Sequence, residues 1–344
     1  MPVFRKSNLL KQLPMLVLAV LPAFAAEAAA SRVPPPATAM LGIADDSGLG
    51  QGEIIAYDVR EPTDKTLAAG LAMYVDAPPE RLLTAIQNGA LLVGDPEVMA
   101  TGTILPGQGP EALERFEFGP SDIEEAEALS EAEPGPEFNL SEAEIEGFRA
   151  LSRTLAQASE AEKLRAVSRR YRELLWRRLE SYRKDGPDAI APYARADGNP
   201  LDVAAELRIL TEQSEALRQY SPELQTALLK FPSASPSGAV STLQWVERKV
   251  EGRPTAILVH QMIQRTDGGA VVVVRDFYVG HSFNSSQMVL GILPYRQGSL
   301  VFYSHCTSTD QVAGMGASLK HTIGRERLRA VMFGRMERFR ASVR

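Results

Sequence analysis

STLQWVERKVEGRPTAILVHQMIQRTDGGAVVVVRDFYVGHSFNSSQMVLGILPYRQGSLVFYSHCTST, residues 241–309, is the stretch whose reading decides the fold of this chain. Five runs in it, 243–250, 255–264, 270–279, 288–293 and 300–307, are rich in β-branched and aromatic residues and separated by polar breaks, the pattern of β-strands. Thr266-Asp267-Gly268-Gly269 is a hairpin turn, because Asp-Gly and Gly-Gly reach positive φ at little steric cost. Arg296-Gln297-Gly298 joins the last pair of runs. Connections this short require antiparallel neighbours, since a parallel crossover needs a dozen or more residues. All four histidines (His260, His281, His305, His321) and the single cysteine, Cys306, lie in this stretch or just after it.

Beyond the meander the spacing predicts a helix over 325–343. Leu328, Val331, Met332, Met336, Phe339 and Val343 share one face, and Arg327, Arg335, Arg338 and Arg340 fall elsewhere. That apolar face must be buried, and the sheet is the available partner. If the sheet curls around the helix, the space between them is either a core or a cavity.

Upstream, residues 1–25 read as a signal peptide. Arg5, Lys6 and Lys11 precede an apolar run at 13–21, and Ala23-Phe24-Ala25 has the small-x-small pattern of a cleavage site. The run is short of the ~20 residues a membrane span needs. No cysteine stands at the site to carry a lipid, so a periplasmic or secreted protein is expected.

Residues 26–138 read as an α/β segment with an acidic linker: a strand at 67–75, a helix burying Leu82, Leu83 and Ile86, and a strand near 98–105. Residues 111–146 carry many carboxylates and one basic residue, Arg115, and read as a solvated face or linker. A capping box, Ser141-Glu142-Ala143-Glu144, opens a helical region over 139–232. In it Leu164, Val167, Tyr171, Leu174, Leu175, Leu179 and Tyr182 form one stripe. After a linker at 232–238, residues 238–344 hold the sheet and closing helix, one domain with 65–105.

A strand leading to a helix (Leu67 to Ile86), then an antiparallel meander, then one long C-terminal helix resembles the helix-grip fold of START-type and pollen-allergen-type proteins. The resemblance covers 65–105 and 240–344, with 139–232 as a large helical insertion. Phe277-Tyr278-Val279-Gly280-His281 and Ser308-Thr309-Asp310-Gln311-Val312-Ala313-Gly314 are also similar to uncharacterised exported bacterial proteins. The fold expected is α+β, an antiparallel meander sheet gripping a long C-terminal helix. The resemblance implies a cavity for an apolar or amphipathic, lipid-like small molecule.

A net charge of −6 excludes nucleic acid as an expected partner. Arg275 and Asp276 interrupt an apolar strand, and alternation sends one of them inward, where a charge needs a partner or a ligand head group. The candidate ligand anchors are Arg275, Tyr278, His281, Tyr303 and His305. Arg275 is expected to share a face with Phe277, Val279 and His281. No cofactor, metal or catalytic residue is assigned.

Two alternatives stand beside non-catalytic binding or carriage. One is a hydrolase using Ser282, in a Gly280-His281-Ser282 turn lacking the closing glycine of a nucleophile elbow, or a metal between His260 and His305 facing one another across the sheet. The other is an envelope interaction protein whose helical region binds a partner. The arginines of the last helix also suit peripheral contact with an anionic membrane.

Overall fold

One sheet holds the eight strands of the described chain, in the order β1-β2-β8-β7-β6-β5-β4-β3, with every neighbouring pair antiparallel. The computed structural model describes residues 41–43, 47–314 and 316–343; the expected signal peptide lies outside them. The strands are β1 (Ile54–Tyr57), β2 (Thr66–Val75), β3 (Val98–Ile104), β4 (Val240–Val250), β5 (Arg253–Thr266), β6 (Gly269–Val279), β7 (Ser285–Tyr295) and β8 (Gly298–Ser308). The meander of β4 to β8 is the one read from residues 241–309. β2 extends it beside β8, and β3 extends it beside β4. The hairpins have two-residue connections at Glu251-Gly252, Asp267-Gly268 and Arg296-Gln297. Glu251 and Gly252 both take positive φ, 53° and 85°, as a type I′ turn requires.

β2 and β3 lie at opposite sides of the sheet, so the chain between them must cross its face. Helix α2 (Pro79–Gln87) makes that crossing, following the four-residue α1 (Ser47–Gly50). Leu82, Leu83 and Ile86 of α2 pack with Val272, Leu290 and Val301. The long C-terminal helix α9 (Ala317–Val343) covers the same inner face through Met332, Met336, Phe339 and Val343.

The opposite, outer face is covered too. Helices α3 (Ile123–Ser130), α4 (Glu142–Thr154), α5 (Glu160–Asp185), α6 (Val203–Glu212), α7 (Glu215–Tyr220) and α8 (Pro222–Leu229) occupy the long connection between β3 and β4. The α5 stripe from Leu164 to Tyr182 is buried against Trp245, Leu258, Phe277 and Tyr278. Leu217, Leu224 and Leu228 meet Val271, Val273, Val289 and Phe302. An antiparallel sheet usually leaves one face wet. Here both faces are dry, and Val271-Val272-Val273-Val274 is apolar in both directions for that reason.

Several expectations are corrected. Residues 111–146 are no solvated linker: Leu113, Phe116, Phe118, Ala126 and Leu129 join the outer core. The carboxylates between them occupy other positions, and Glu125 accepts two hydrogen bonds from Arg253 at 2.9 and 3.0 Å. Helix α9 begins eight residues before the expected start. Its first turns expose Leu319 and Ile323, which breaks the one-sided pattern a sequence reading depends on. They are held instead by Glu61, which accepts from Arg325 at 3.1 and 3.0 Å, and by Gly324 lying against Leu67. Val331, expected on the buried face, is 48% exposed.

The expected grouping of Arg275 with Phe277, Val279 and His281 fails at Val279, while Arg275 and Phe277 both face the outer helices. Leu258 pairs with Tyr278 but Val259 pairs with Asp276, so Phe277 is an extra residue, a β-bulge. Phe277 and Tyr278 therefore both face outward, and Val279 turns inward to Ile257 and Val259.

Candidate functional site

Between the inner face and α9 lies a cavity of about 100 Å³. Its apolar wall includes Met73 of β2, Val246 of β4, Ile257 and Val259 of β5, Met288 and Leu290 of β7, Val301 of β8, and Met336 and Phe339 of α9. In a flat sheet β2 and β4 would stand about 24 Å apart, five spacings of roughly 4.8 Å. Both line one small cavity, so the sheet curls around it.

One end of the cavity is polar. Strand alternation puts Gln244, Val246 and Arg248 on the inner face of β4, Val274 and Asp276 on that of β6, and Tyr303 and His305 on that of β8. Arg335 enters from α9. It stands at the i+3 position between Met332 and Met336, inside the buried stripe. Its Nη1 donates to the Tyr303 phenol oxygen at 3.3 Å.

Tyr303 stands 3.4 Å from His305 Nδ1, and His305 Nε2 stands 3.3 Å from the Thr307 hydroxyl. Burial, and then the positive charges of Arg335 and Arg248, bring the His305 pKa down to about 3. A neutral ring that accepts at Nδ1 from Tyr303 and donates at Nε2 to Thr307 satisfies both contacts. The Ser286 hydroxyl donates to an Asp276 carboxylate oxygen at 2.6 Å. Burial raises the Asp276 pKa, against the pull of that hydrogen bond and of Arg335 and Arg248.

Asp95, in the turn after α2, closes this end. It faces Arg248 at 3.3 Å, Arg335 at 3.8 Å and Arg338 at 3.5 Å. Burial, and then Arg335, lower the Arg248 pKa, while Asp95 raises it. Among the described residues the buried Nε of Arg248 has no hydrogen-bond partner.

The five expected anchors are separated. Tyr303 and His305 line the cavity, whereas Arg275, Tyr278 and His281 do not. Arg275 is 1% exposed on the outer face. It donates to Thr211 at 2.7 Å, to Gln287 at 3.1 Å and to the Leu228 carbonyl at 3.2 Å. Tyr278 meets the Tyr171 hydroxyl at 3.1 Å beneath the Arg178 guanidinium, 4.6 Å from its ring centre.

His281 follows β6. Its Nδ1 lies 2.7 Å from the Ser282 hydroxyl, and its Nε2 lies 3.1 Å from the Pro254 carbonyl. Ser282 has φ 71°, a backbone strain seen at some nucleophiles. The base is weak, however. Burial and then Arg253 lower the His281 pKa to about 4, and Glu125, 3.6 Å away, is already bound by Arg253.

The expected facing pair His260 and His305 is corrected. They stand on opposite faces, with two strands between theirs. His260 lies between Tyr182 at 2.8 Å and Ser241 at 2.9 Å. Among the described residues no group of three His, Cys, Asp or Glu is placed to hold a metal ion. No described helix is long and apolar enough to cross a membrane.

No family model and no curated protein matches the chain. Among solved structures, the crystal structure of Ara h 8.0201 is similar over 32% of this chain and 70% of that one, at 13% identity and a TM-score of 0.20. A superposition of that quality carries no weight for fold or ligand.

Arg248, Asp95 and Arg335 were not singled out by the sequence reading. For Arg335 the signal was present, since 332, 335, 336 and 339 follow the i, i+3, i+4, i+7 spacing of a buried stripe. Its charge placed it outside the stripe. Asp95 had no signal, because its place depends on where the turn after α2 lands.

Proposed function

We propose that the protein is an exported, non-catalytic binder of a small apolar or amphipathic molecule, held between the inner face of the sheet and α9. The observation that carries this reading is the cavity itself, apolar along its wall and polar at one end, the lining that suits an amphipathic ligand.

The volume bounds the ligand. Pockets for drug-sized molecules run to roughly 300–1,000 Å³, and an engineered apolar cavity of about 150 Å³ binds benzene. A cavity of about 100 Å³ therefore takes a short chain or a single ring. A long lipid requires α9 to move outward, which breaks the contact of Arg335 with Tyr303. Burying about 100 Å² of apolar ligand surface contributes roughly 2.5 kcal/mol, so the polar end must supply much of any tight affinity.

Mass spectrometry of organic extracts from the purified protein is expected to find a small amphiphile in near-stoichiometric amount. Absence of any such molecule, together with no thermal shift on adding short-chain amphiphiles, contradicts the reading. The 2.7 Å contact between Ser282 and His281 favours a hydrolase as the second reading. Turnover of short esters that disappears in Ser282→Ala supports it.

A further inference from the structure

The polar end of the cavity does not balance its charges. Arg248, Arg335 and Arg338 all point at the single carboxylate of Asp95, at 3.3, 3.8 and 3.5 Å. The other carboxylate nearby, Asp276, already accepts from Ser286 at 2.6 Å, and burial drives it toward its neutral acid. Three guanidinium groups thus face at most two negative charges; Arg248 and Arg335 line the cavity, and Arg338, one-third exposed, stands outside its lining. His305 is held neutral and adds no charge.

Like charges in a poorly solvated site repel, and a guanidinium there wants an acceptor for each N–H. Among the described residues, the Nε of Arg248, buried at the cavity's end, has no hydrogen-bond partner. Excess positive charge, an unanswered donor and an adjoining apolar wall together describe a receptor for an anion with a tail.

We propose that the cavity takes an amphiphile with a singly charged carboxylate head, seated between Arg248 and Arg335, with its tail along Met73, Met288 and Phe339. This deepens, and rests on, the reading of the cavity as a ligand site. A carboxylate matches the planar fork of a guanidinium, and one negative charge matches the minimum excess. Tyr303 holds the Arg335 guanidinium at the mouth of this seat, at 3.3 Å. A cationic head meets repulsion from both arginines, and a neutral alcohol leaves the excess charge unanswered.

Calorimetric titration of the purified protein at pH 7.5 with hexanoate, hexan-1-ol and hexylamine, three molecules with the same tail, tests the proposal. Hexanoate is expected to bind at least about tenfold more tightly than the alcohol, the scale of one charge-assisted hydrogen bond. Hexylamine is expected to bind more weakly than the alcohol. Arg248→Met and Arg335→Met should each bring the hexanoate-to-alcohol ratio close to one. Equal binding of alcohol and hexanoate by the unmodified protein overturns the carboxylate head while leaving the cavity as a ligand site. Retention of the preference by both variants overturns the seat between the arginines. Failure of all three molecules to bind removes the ligand site and the head-group proposal together. If the variants do not fold, the head-group series on the unmodified protein decides alone.

Discussion

The Arg335 guanidinium of α9 donates to the Tyr303 phenol oxygen of β8 at 3.3 Å, bridging the closing helix and the sheet at the polar end of the cavity. The same guanidinium reaches Asp95 after α2, so one side chain joins three elements. Tyr303→Phe removes the bridge and leaves His305 Nδ1 without a donor. The expected loss is about 1–2 kcal/mol of stability. It should appear as a lower urea midpoint at pH 7.5 with an unchanged m-value, since the fold is retained. No change in midpoint would mean that this bridge adds nothing to the hold of the helix on the sheet.

Val274 lines the cavity from β6 and is half-buried. Val274→Phe adds side-chain volume where there is free space, so stability should stay within about 1 kcal/mol of the parent. Forcing the same volume into a close-packed core costs typically 1–3 kcal/mol. The variant should also lose its thermal shift with short amphiphiles. Strong destabilisation on thermal melting, or an unchanged ligand response, contradicts a ligand-sized void beside Val274.

The elements legible in the sequence were those in which local pattern and tertiary environment agree. Strands β4 to β8 are separated by short turns and packed on both sides, so each carries a run of apolar or β-branched residues long enough to read. The α5 stripe repeats at helical spacing over its whole buried length. The illegible elements depend on distant partners. β1 is four residues long and exists because β2 offers it an edge. The segment 111–146 looked solvated because its carboxylates outnumber its aromatics, although Phe116 and Phe118 carry the packing. The cavity's charged end combines residues from β4, β6, α9 and the turn after α2, and no local window contains them. The bulge at Phe277 shifted the phase on which the grouping of Arg275 with Val279 depended.

Arg275 is expected to be a structural group of the outer layer. Its guanidinium has three uncharged partners, Thr211, Gln287 and the Leu228 carbonyl. Arg275→Met leaves Gln287 and that carbonyl short of donors in a dry interface. A loss of about 2–4 kcal/mol is expected, with affinity for cavity ligands within about twofold of the parent. A selective loss of ligand affinity at unchanged stability would return Arg275 to the binding site.

Acid should destabilise the fold through its histidines. Burial lowers the pKa of His260 and of His305 to about 3 and that of His281 to about 4, with Arg275, the Arg335–Arg248 pair and Arg253 contributing respectively. The unfolded chain titrates near 6.5, so it takes up protons first as the pH falls. The stability these neutral rings contribute is complete above about pH 6.5 and is lost progressively toward pH 3. Glu247 acts in the opposite sense. Burial, and then the Asp122 carboxylate, raise its pKa to about 7, and among the described residues its Oε1 has no hydrogen-bond partner. Its stabilising contribution is complete below about pH 4.5 and is lost as the pH rises through 7. Glu247→Gln should therefore raise stability at pH 8, by on the order of 1–2 kcal/mol after solvent screening, and change little at pH 4. Urea melts at the two pH values measure both effects.

Three methionines, Met73, Met288 and Met336, line the cavity from β2, β7 and α9, while Met262 is buried among the outer-face contacts of β5. Methyl NMR of the ¹³C-methionine-labelled protein during a hexanoate titration is the most direct measurement of whether a ligand enters between sheet and helix. The expected result is saturable shifts at Met73, Met288 and Met336 together, with Met262 unmoved. Shifts confined to exposed Met99, or none at saturating hexanoate, would contradict a ligand site in this cavity.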